Sequence, residues 1–317
     1  MTSVREETPG VLRFDGKTAL VTGAGGGIGR AHALLLAARG ASVVVNGNFR
    51  SSGTRREDEV VEAIRQVGGK ATAANGSVAN PDHVRRMVDT AVQEFGGLDI
   101  VINNAGTGEI DARVQDAPEE TLERQLEVHL RGCLLVSAAA WGHLARSGHG
   151  RILNTGSSVA FGFAGPHGWD GAYSPAKSSL FAITRQMAGA GAEAGIAANM
   201  ILPWAASPMA ADTLKGTELG EWWLRTLDPH KVAAGSLYLL HQDCPATGQF
   251  FSVGGGRVAR IVWAEPKGLW SSVLEPESVR DRWREVWGSV DEDGVVSDMH
   301  EIKGQATELA MMRKLLP

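Results

Sequence analysis

The chain has 317 residues, 43% of them hydrophobic and 21% charged, with a net charge of −5. That composition supports a sizeable core and excludes wholesale disorder. The acidic balance excludes a basic nucleic-acid surface or an anionic-membrane patch. Two cysteines, Cys133 and Cys244, are too few for a disulfide framework or a cysteine zinc site. They suit a reducing compartment, read here as the cytoplasm, and no metal site is expected. Residues Met1 to Gly10 lack an apolar signal core, and no uncharged apolar run reaches about 18 residues, so neither a secretory signal nor a membrane span is expected.

From Lys17 onward, short β-branched runs alternate with helical stretches. Thr18 to Thr22 reads as a buried strand and Ile28 to Arg39 as a helix closed by Gly40. Ser42 to Asn46 is the second strand. Thr54 to Val67 has Val60, Val61, Ile64 and Val67 at helical spacing. Lys70 to Ala74 is a weak third strand. Asp82 to Phe95 is a helix started by Asn80-Pro81. Leu98 to Ile102 is the fourth strand, Pro118 to about Arg146 a long helix, and Arg151 to Asn154 the fifth strand. After a glycine-rich loop, Tyr173 to Ala194 is another long helix, Ala197 to Leu202 the sixth strand and Gln249 to Val253 a seventh. Ala206 to Leu227, with Trp222 and Trp223, is placed at the carboxyl end of the sheet as a substrate-covering segment. Ser278 to Trp287 reads as one amphipathic helix. The alternation predicts an α/β fold: a single Rossmann-type doubly wound parallel sheet with helices on both faces, spanning 14–255. A Trp-rich C-terminal extension, 256–317, is expected to pack on the same domain.

Thr22-Gly23-Ala24-Gly25-Gly26-Gly27-Ile28-Gly29 lies directly after a strand and opens a helix. Such a turn lets backbone N–H groups and a helix N-terminus approach a pyrophosphate. Asn103-Asn104-Ala105-Gly106 follows the fourth strand. Tyr173 and Lys177 stand four apart, which puts both on one helix face. A phenol with an ordinary pKa of about 10 transfers protons poorly near neutrality, and a nearby ammonium favours its ionised form. The competing explanation is a surface Tyr–Lys pair. Ser157 and Ser158 follow the fifth strand, and either one can bind a substrate oxygen or satisfy a turn.

In this order, the motifs resemble those of the short-chain dehydrogenase/reductase family: a TGxxxGxG turn, an NNAG strand end, a serine and YxxxK. Thr22 to Asn46, Val128 to Gly132 and Phe250 to Ala264 further resemble the hydroxyacyl-CoA dehydrogenase domain of the peroxisomal multifunctional β-oxidation enzyme and its bacterial relatives, over about residues 10–290. The resemblance implies Tyr173 as general acid/base, Lys177 as its partner and a nicotinamide-ribose ligand, and a serine, Ser157 or Ser158, on the carbonyl oxygen. Thr22, Gly23, Gly25, Gly27, Ile28 and Gly29 would hold the pyrophosphate. Ser77 and Val78 would meet adenine, Asn104, Ala105 and Gly106 the ribose, and Pro203 to Ser207 the nicotinamide. Many relatives carry an asparagine in the long helix to order a proton-relay water. His129 stands there in this chain, either as a substitute in the relay or as a core or interface histidine.

The resemblance implies a hydride transfer between a nicotinamide cofactor and an apolar secondary alcohol or ketone: a 3-hydroxyacyl thioester, a steroid or a secondary-metabolite ketone. A silent dinucleotide sensor and an epimerase or dehydratase on the same fold are the alternatives. An acid at the end of the second strand would bind the ribose 2′-hydroxyl of NAD. That position is Gly47, with Asn46, Asn48 and Arg50 around it, and Asn48 is taken as a cofactor contact. Losing the acid leans the choice slightly to NADP, with Arg50, Arg55 or Arg56 available to a phosphate, although the β-oxidation relatives prefer NAD. The two long helices, with Ala182, Ala188, Gly189 and Gly191 along the second, predict a homodimer or homotetramer.

Overall fold

The computed structural model describes residues 10–48, 55–107, 118–162, 171–206, 216–263 and 268–287. It contains one eight-stranded sheet in the order β3-β2-β1-β4-β5-β6-β7-β8. The strands are β1 (Thr18–Val21), β2 (Ser42–Gly47), β3 (Lys70–Asn75), β4 (Ile100–Asn103), β5 (Arg151–Thr155), β6 (Ala197–Trp204), β7 (Phe250–Gly254) and β8 (Arg257–Ile261). Every neighbouring pair from β3 across to β7 is parallel. The order reverses between β1 and β4, so their carboxyl ends open a crevice at the switch point.

The helices are α1 (Gly27–Ala38), α2 (Arg56–Gln66), α3 (Pro81–Phe95), α4 (Glu119–Gln125), α5 (Gly132–Ser147), α6 (Tyr173–Gly191), α7 (Glu218–Thr226) and α8 (Pro229–Ser236). Helix α1 packs on α2 and α8, while α3 packs on α5. Strands buried on both faces are near-continuous hydrophobic runs. Ala19, Val21, Val43, Val45, Ile100 and Ile102 form one core with Leu36 of α1 and Val60 and Ile64 of α2. Leu20, Val44, Val101 and Ile152 are buried on the opposite face. Val67, expected on the apolar stripe of α2, is instead exposed beyond the helix end.

Caps explain several boundaries. Asn80 accepts from the N–H groups of Asp82 and His83, Pro81 occupies the first turn of α3, and Gly96 ends it at φ +84°. Asp228 and Pro229 start α8 in the same manner, an element absent from the sequence expectation. Strand β8 was also unexpected. It follows β7 through Gly255 (φ +60°) and Gly256 (φ +92°), a two-residue hairpin turn that needs positive φ at both positions.

The expected long helix from 118 is continuous through 147, but Leu126–Arg131 is π-helical between α4 and α5. A π-turn widens the ring and re-aims the side chains it carries, His129 among them. No helix among the described residues is long and apolar enough to cross a membrane.

Two compact units divide between Ala259 and Arg260. In the second, the single helix expected over 278–287 is two short ones, α9 (Pro276–Asp281) and α10 (Trp283–Trp287), broken at Arg282 (φ −109°, ψ 26°). The Arg282 guanidinium donates to both oxygens of Glu285. Trp283 and Trp287 lie one turn apart with their rings tilted at 43° and centres 6.2 Å apart.

Candidate active site

Helix α6 starts at Tyr173, with Pro175 in its first turn, where a missing N–H costs nothing. The i, i+4 spacing brings Tyr173 and Lys177 to one face, and both are buried, at 7% and 4% exposure. A surface pair is thereby excluded. Lys177 Nζ donates to the Thr155 carbonyl at the end of β5 (2.7 Å) and lies 5.7 Å from the centre of the Tyr173 ring. Burial pulls the Lys177 ammonium down from 10.5 to about 7. The neighbouring Cys133 thiol is pushed up to about 12 by burial, so it stays neutral.

His129 projects from the π-helical segment against Tyr173, ring centres 5.3 Å apart and edge to face. Its Nε2 lies 3.1 Å from the Thr107 carbonyl. Burial first, and the Lys177 charge second, lower His129 to about 2, so the ring is neutral. A side chain on Gly106 would meet His129 Cε1 at 2.7 Å, so glycine at 106 is what admits the imidazole.

Between these groups lies a cavity of about 10 Å3, lined by Thr22, Asn103, His129, Thr155 and Lys177, which is room for one water. Asn103 Oδ1, His129 Nδ1 and Thr155 Oγ1 are buried with no hydrogen-bond partner among the described residues. Buried polar atoms are rarely left so. These three face the place where a water or ligand would satisfy them.

The two expected cofactor motifs are built into each other. Thr22 Oγ1 donates to the Ile102 carbonyl and accepts from the N–H groups of Asn104 (2.9 Å) and Ala105 (3.0 Å). Asn104 Nδ2 donates back to the Thr22 carbonyl at 2.9 Å. Gly23 sits at φ +63°, where a Cβ would meet Ala105 Cα at 2.8 Å. The N-cap of α1, Gly26, has open space around it, and no acid occupies the first turn of α1. The positive end of that helix is thus left for an anion. The cradle fits a dinucleotide pyrophosphate. Ser77 and Val78 follow β3. Ser77 Oγ accepts from Ala79 N–H, while Val78 packs against Gly132 and lines the small cavity.

Ser157 caps a short 3-10 turn, Ser158–Phe161, accepting from Val159 N–H at 3.4 Å. Ser174 and Ser178 of α6 donate to the carbonyls of Val159 and Ala160, so this turn is clamped onto the helix that carries Tyr173. Asn48 is exposed at the end of β2. Pro203 is half-buried near the end of β6, and Trp204 Nε1 donates to Ser252 while its ring lies 5.5 Å from that of Trp223. Ser207, Arg50 and the loop residues His167 and Trp169 lie outside the described residues.

Sequence reasoning missed two buried amides. Asn46 Oδ1 accepts from Gly23 N–H, and its Nδ2 donates to the carbonyls of Gly47, Ala74 and Gly76. It ties the glycine turn to β2 and β3. Asn154 accepts from Asn103 Nδ2 and donates to Thr184 Oγ1, both at 2.9 Å. Their only signal was polar residues inside apolar strands. Among the described residues no cluster of three His, Cys, Asp or Glu side chains is arranged to hold a metal.

The comparisons agree with this geometry. The family model described as short chain dehydrogenase matches residues 17–217. The chain is 39% identical over 286 residues to mouse peroxisomal multifunctional enzyme type 2, covering 87% of this chain and 37% of that protein. It is 37% identical to a short-chain type dehydrogenase/reductase of Mycobacterium tuberculosis, covering 84% of this chain and 92% of that one. A short chain dehydrogenase structure from Mycobacterium avium superimposes with a TM-score of 0.74 at 32% identity, covering 90% of this chain and 98% of that one. The chain spans only 30–37% of the mouse and Neurospora crassa multifunctional proteins it matches. The chain belongs to the short-chain dehydrogenase family and is an NAD(P)-dependent oxidoreductase of that type.

Proposed function

We propose that the chain interconverts an apolar secondary alcohol and its ketone, with Tyr173 moving the hydroxyl proton. The observation that carries this is the buried Tyr173–Lys177 pair, with Lys177 anchored at 2.7 Å to the end of β5 beside the switch-point crevice. Bound nicotinamide supplies or accepts the hydride. Tyr173 acts as general acid for the ketone and general base for the alcohol. Lys177 favours the ionised phenol by its charge and binds the nicotinamide ribose. Ser157, at the end of β5, is assigned to the substrate oxygen, where a donor contributes a few kcal/mol toward the developing oxyanion, roughly 2.7–4 in well-studied sites.

His129 is assigned to a proton relay. With Nε2–H donating to Thr107, its unpartnered Nδ1 accepts from a water in the small cavity, and Lys177 reaches the same cavity. The pyrophosphate is assigned to Thr22, Gly23, Gly25, Gly27, Ile28 and Gly29. Ser77 and Val78 border the adenine, Asn48 its ribose, Asn104, Ala105 and Gly106 the ribose on the crevice floor, and Pro203 and Ser207 the nicotinamide.

The substrate is proposed to be large and apolar: a 3-hydroxyacyl thioester first, a steroid or secondary-metabolite ketone next. Half-exposed Trp204 and Trp222 near the carboxyl end of β6 support this, as do relatives named for multifunctional peroxisomal enzymes. The reading includes a homodimer or homotetramer formed through α4–α5 and α6. Leu122 and Leu134 on the first of these are exposed. It places the chain in the cytoplasm, a setting consistent with two buried free cysteines. Cofactor consumption with 3-ketoacyl thioesters and ketosteroids tests the reading. One dinucleotide consumed per product, at a rate at least about a hundredfold lower in Tyr173→Phe, is the expected result. Turnover without net cofactor use would point to an epimerase or dehydratase and overturn it.

A further inference from the structure

The end of β2 lacks the acid that would accept a hydrogen bond from an adenosine-ribose hydroxyl, because Gly47 stands there. The structure puts a carboxylate in that space from another element. A Cβ built on Gly47 would land on the carboxylate of Glu57, overlapping Oε2 and lying 3.0 Å from Oε1. Glu57 belongs to the first turn of α2, yet it is only 3% exposed. Its neighbours Arg55, Arg56, Asp58 and Glu59 are all exposed.

One hydrogen bond fixes this carboxylate, and two neighbouring observations place the backbone around it. Asn75, the last residue of β3, donates Nδ2 to Glu57 Oε1. The Gly76 N–H donates to the Gly47 carbonyl at 2.9 Å, closing β3 onto β2. A side chain on Gly25 of the glycine turn would meet Arg56 Cβ at 3.1 Å and Glu57 N at 3.4 Å. Glu57 therefore sits at the carboxyl ends of β2 and β3, directly beside the pyrophosphate cradle. In a switch-point crevice this is the station of the adenosine ribose. No cation pairs with Glu57 among the described residues. A buried carboxylate without a cation is costly, and Asn75 occupies only one of its oxygens.

We propose that Glu57 is the ribose-binding acid of this chain, delivered from α2 rather than from β2, and that it selects NAD(H) over NADP(H). This rests on the dinucleotide-dependent reading above and names its selectivity. The carboxylate accepts a hydrogen bond from the 2′-hydroxyl. It repels the dianionic 2′-phosphate of NADP(H), which would have to enter the same buried space. Gly47 is the companion of Glu57, since any side chain at 47 would displace the carboxylate. The loss of an acid at 47 is then no signal for NADP.

The test is binding, independent of turnover. NADH and NADPH are titrated into wild type, Glu57→Gln, Gly47→Asp and the double variant Gly47→Asp/Glu57→Ala by calorimetry, with thermal unfolding in parallel. Wild type should bind NADH at least about tenfold more tightly than NADPH. Glu57→Gln should weaken NADH by about tenfold to a hundredfold, the range for a lost hydrogen bond to a charged group, and close the gap to NADPH. Gly47→Asp alone should not improve NADH binding, because its side chain meets Glu57. The double variant should restore the NADH preference by moving the acid back to the strand. Equal or tighter NADPH binding by wild type overturns the proposal. So does an unchanged ratio in Glu57→Gln, or equal weakening of both ligands, which would leave Glu57 a purely structural role. Should Glu57→Gln fail to fold, the wild-type ratio and the double variant decide. Binding of neither dinucleotide by wild type would instead overturn the functional reading itself.

Discussion

Replacing Lys177 with Met should stabilise the ligand-free protein while abolishing its activity. Burial lowers Lys177 from 10.5 to about 7, which corresponds to about 5 kcal/mol against the charged form. Methionine keeps most of the volume. It loses the bond to the Thr155 carbonyl, worth about 1–3 kcal/mol for a charged donor. At pH 6 the variant should therefore be more stable by about 2–4 kcal/mol, or about 3–6 °C for a chain of this size. The sign with pH is fixed. Between pH 7 and 10.5 the unfolded chain holds one more proton on Lys177 than the folded chain does. Wild-type stability then rises with pH across that window, and the variant's advantage shrinks. Thermal unfolding at pH 6 and pH 9 measures both. A variant less stable than wild type at pH 6, by the same margin as at pH 9, would refute the claim that the fold buries this ammonium at a cost.

Tyr173→Phe should lower kcat by about 10²–10⁴-fold while the dinucleotide dissociation constant moves only a few-fold, as steady-state kinetics and calorimetry will show. Asn46→Ala should destabilise by about 2–4 kcal/mol in urea, since it strands Gly23 N–H and leaves three buried carbonyls short of a donor. His32, held between the Ile28 carbonyl and Ser236 Oγ, is lowered to about 4 by burial, and His129 to about 2. Both are neutral in the fold, so stability should fall as pH drops below 6.5. In NMR spectra neither ring should titrate between pH 8 and pH 5.

The βαβ alternation was legible because both faces of a parallel sheet are buried, so runs such as Thr18 to Val21 and Ser42 to Val45 stand out. Asn80-Pro81 and Gly96 marked α3 because capping is local chemistry. Tyr173 and Lys177 were legible because four residues is one helical turn. The π-helical segment at Leu126–Arg131 was not, since nothing in its composition differs from an ordinary helix; the packing around His129 and Gly106 distinguishes it. The eighth strand carried a signal that went unused, Gly255-Gly256 between β-branched residues. The two short helices near the C-terminus looked like one because Val279, Trp283 and Trp287 keep i, i+4 spacing across the break at Arg282. At Gly47 the sequence records only the absence of an acid, while the carboxylate beside it comes from ten positions later. Only the fold brings Glu57 there.

The account stands most directly on isotope transfer. Wild type should be given reduced dinucleotide carrying deuterium at the transferable nicotinamide position, with a 3-ketoacyl thioester and a ketosteroid as acceptors. Deuterium should appear on the carbinol carbon of the alcohol, at a rate that falls at least a hundredfold in Tyr173→Phe. A product without deuterium, or an undiminished rate in that variant, would contradict it.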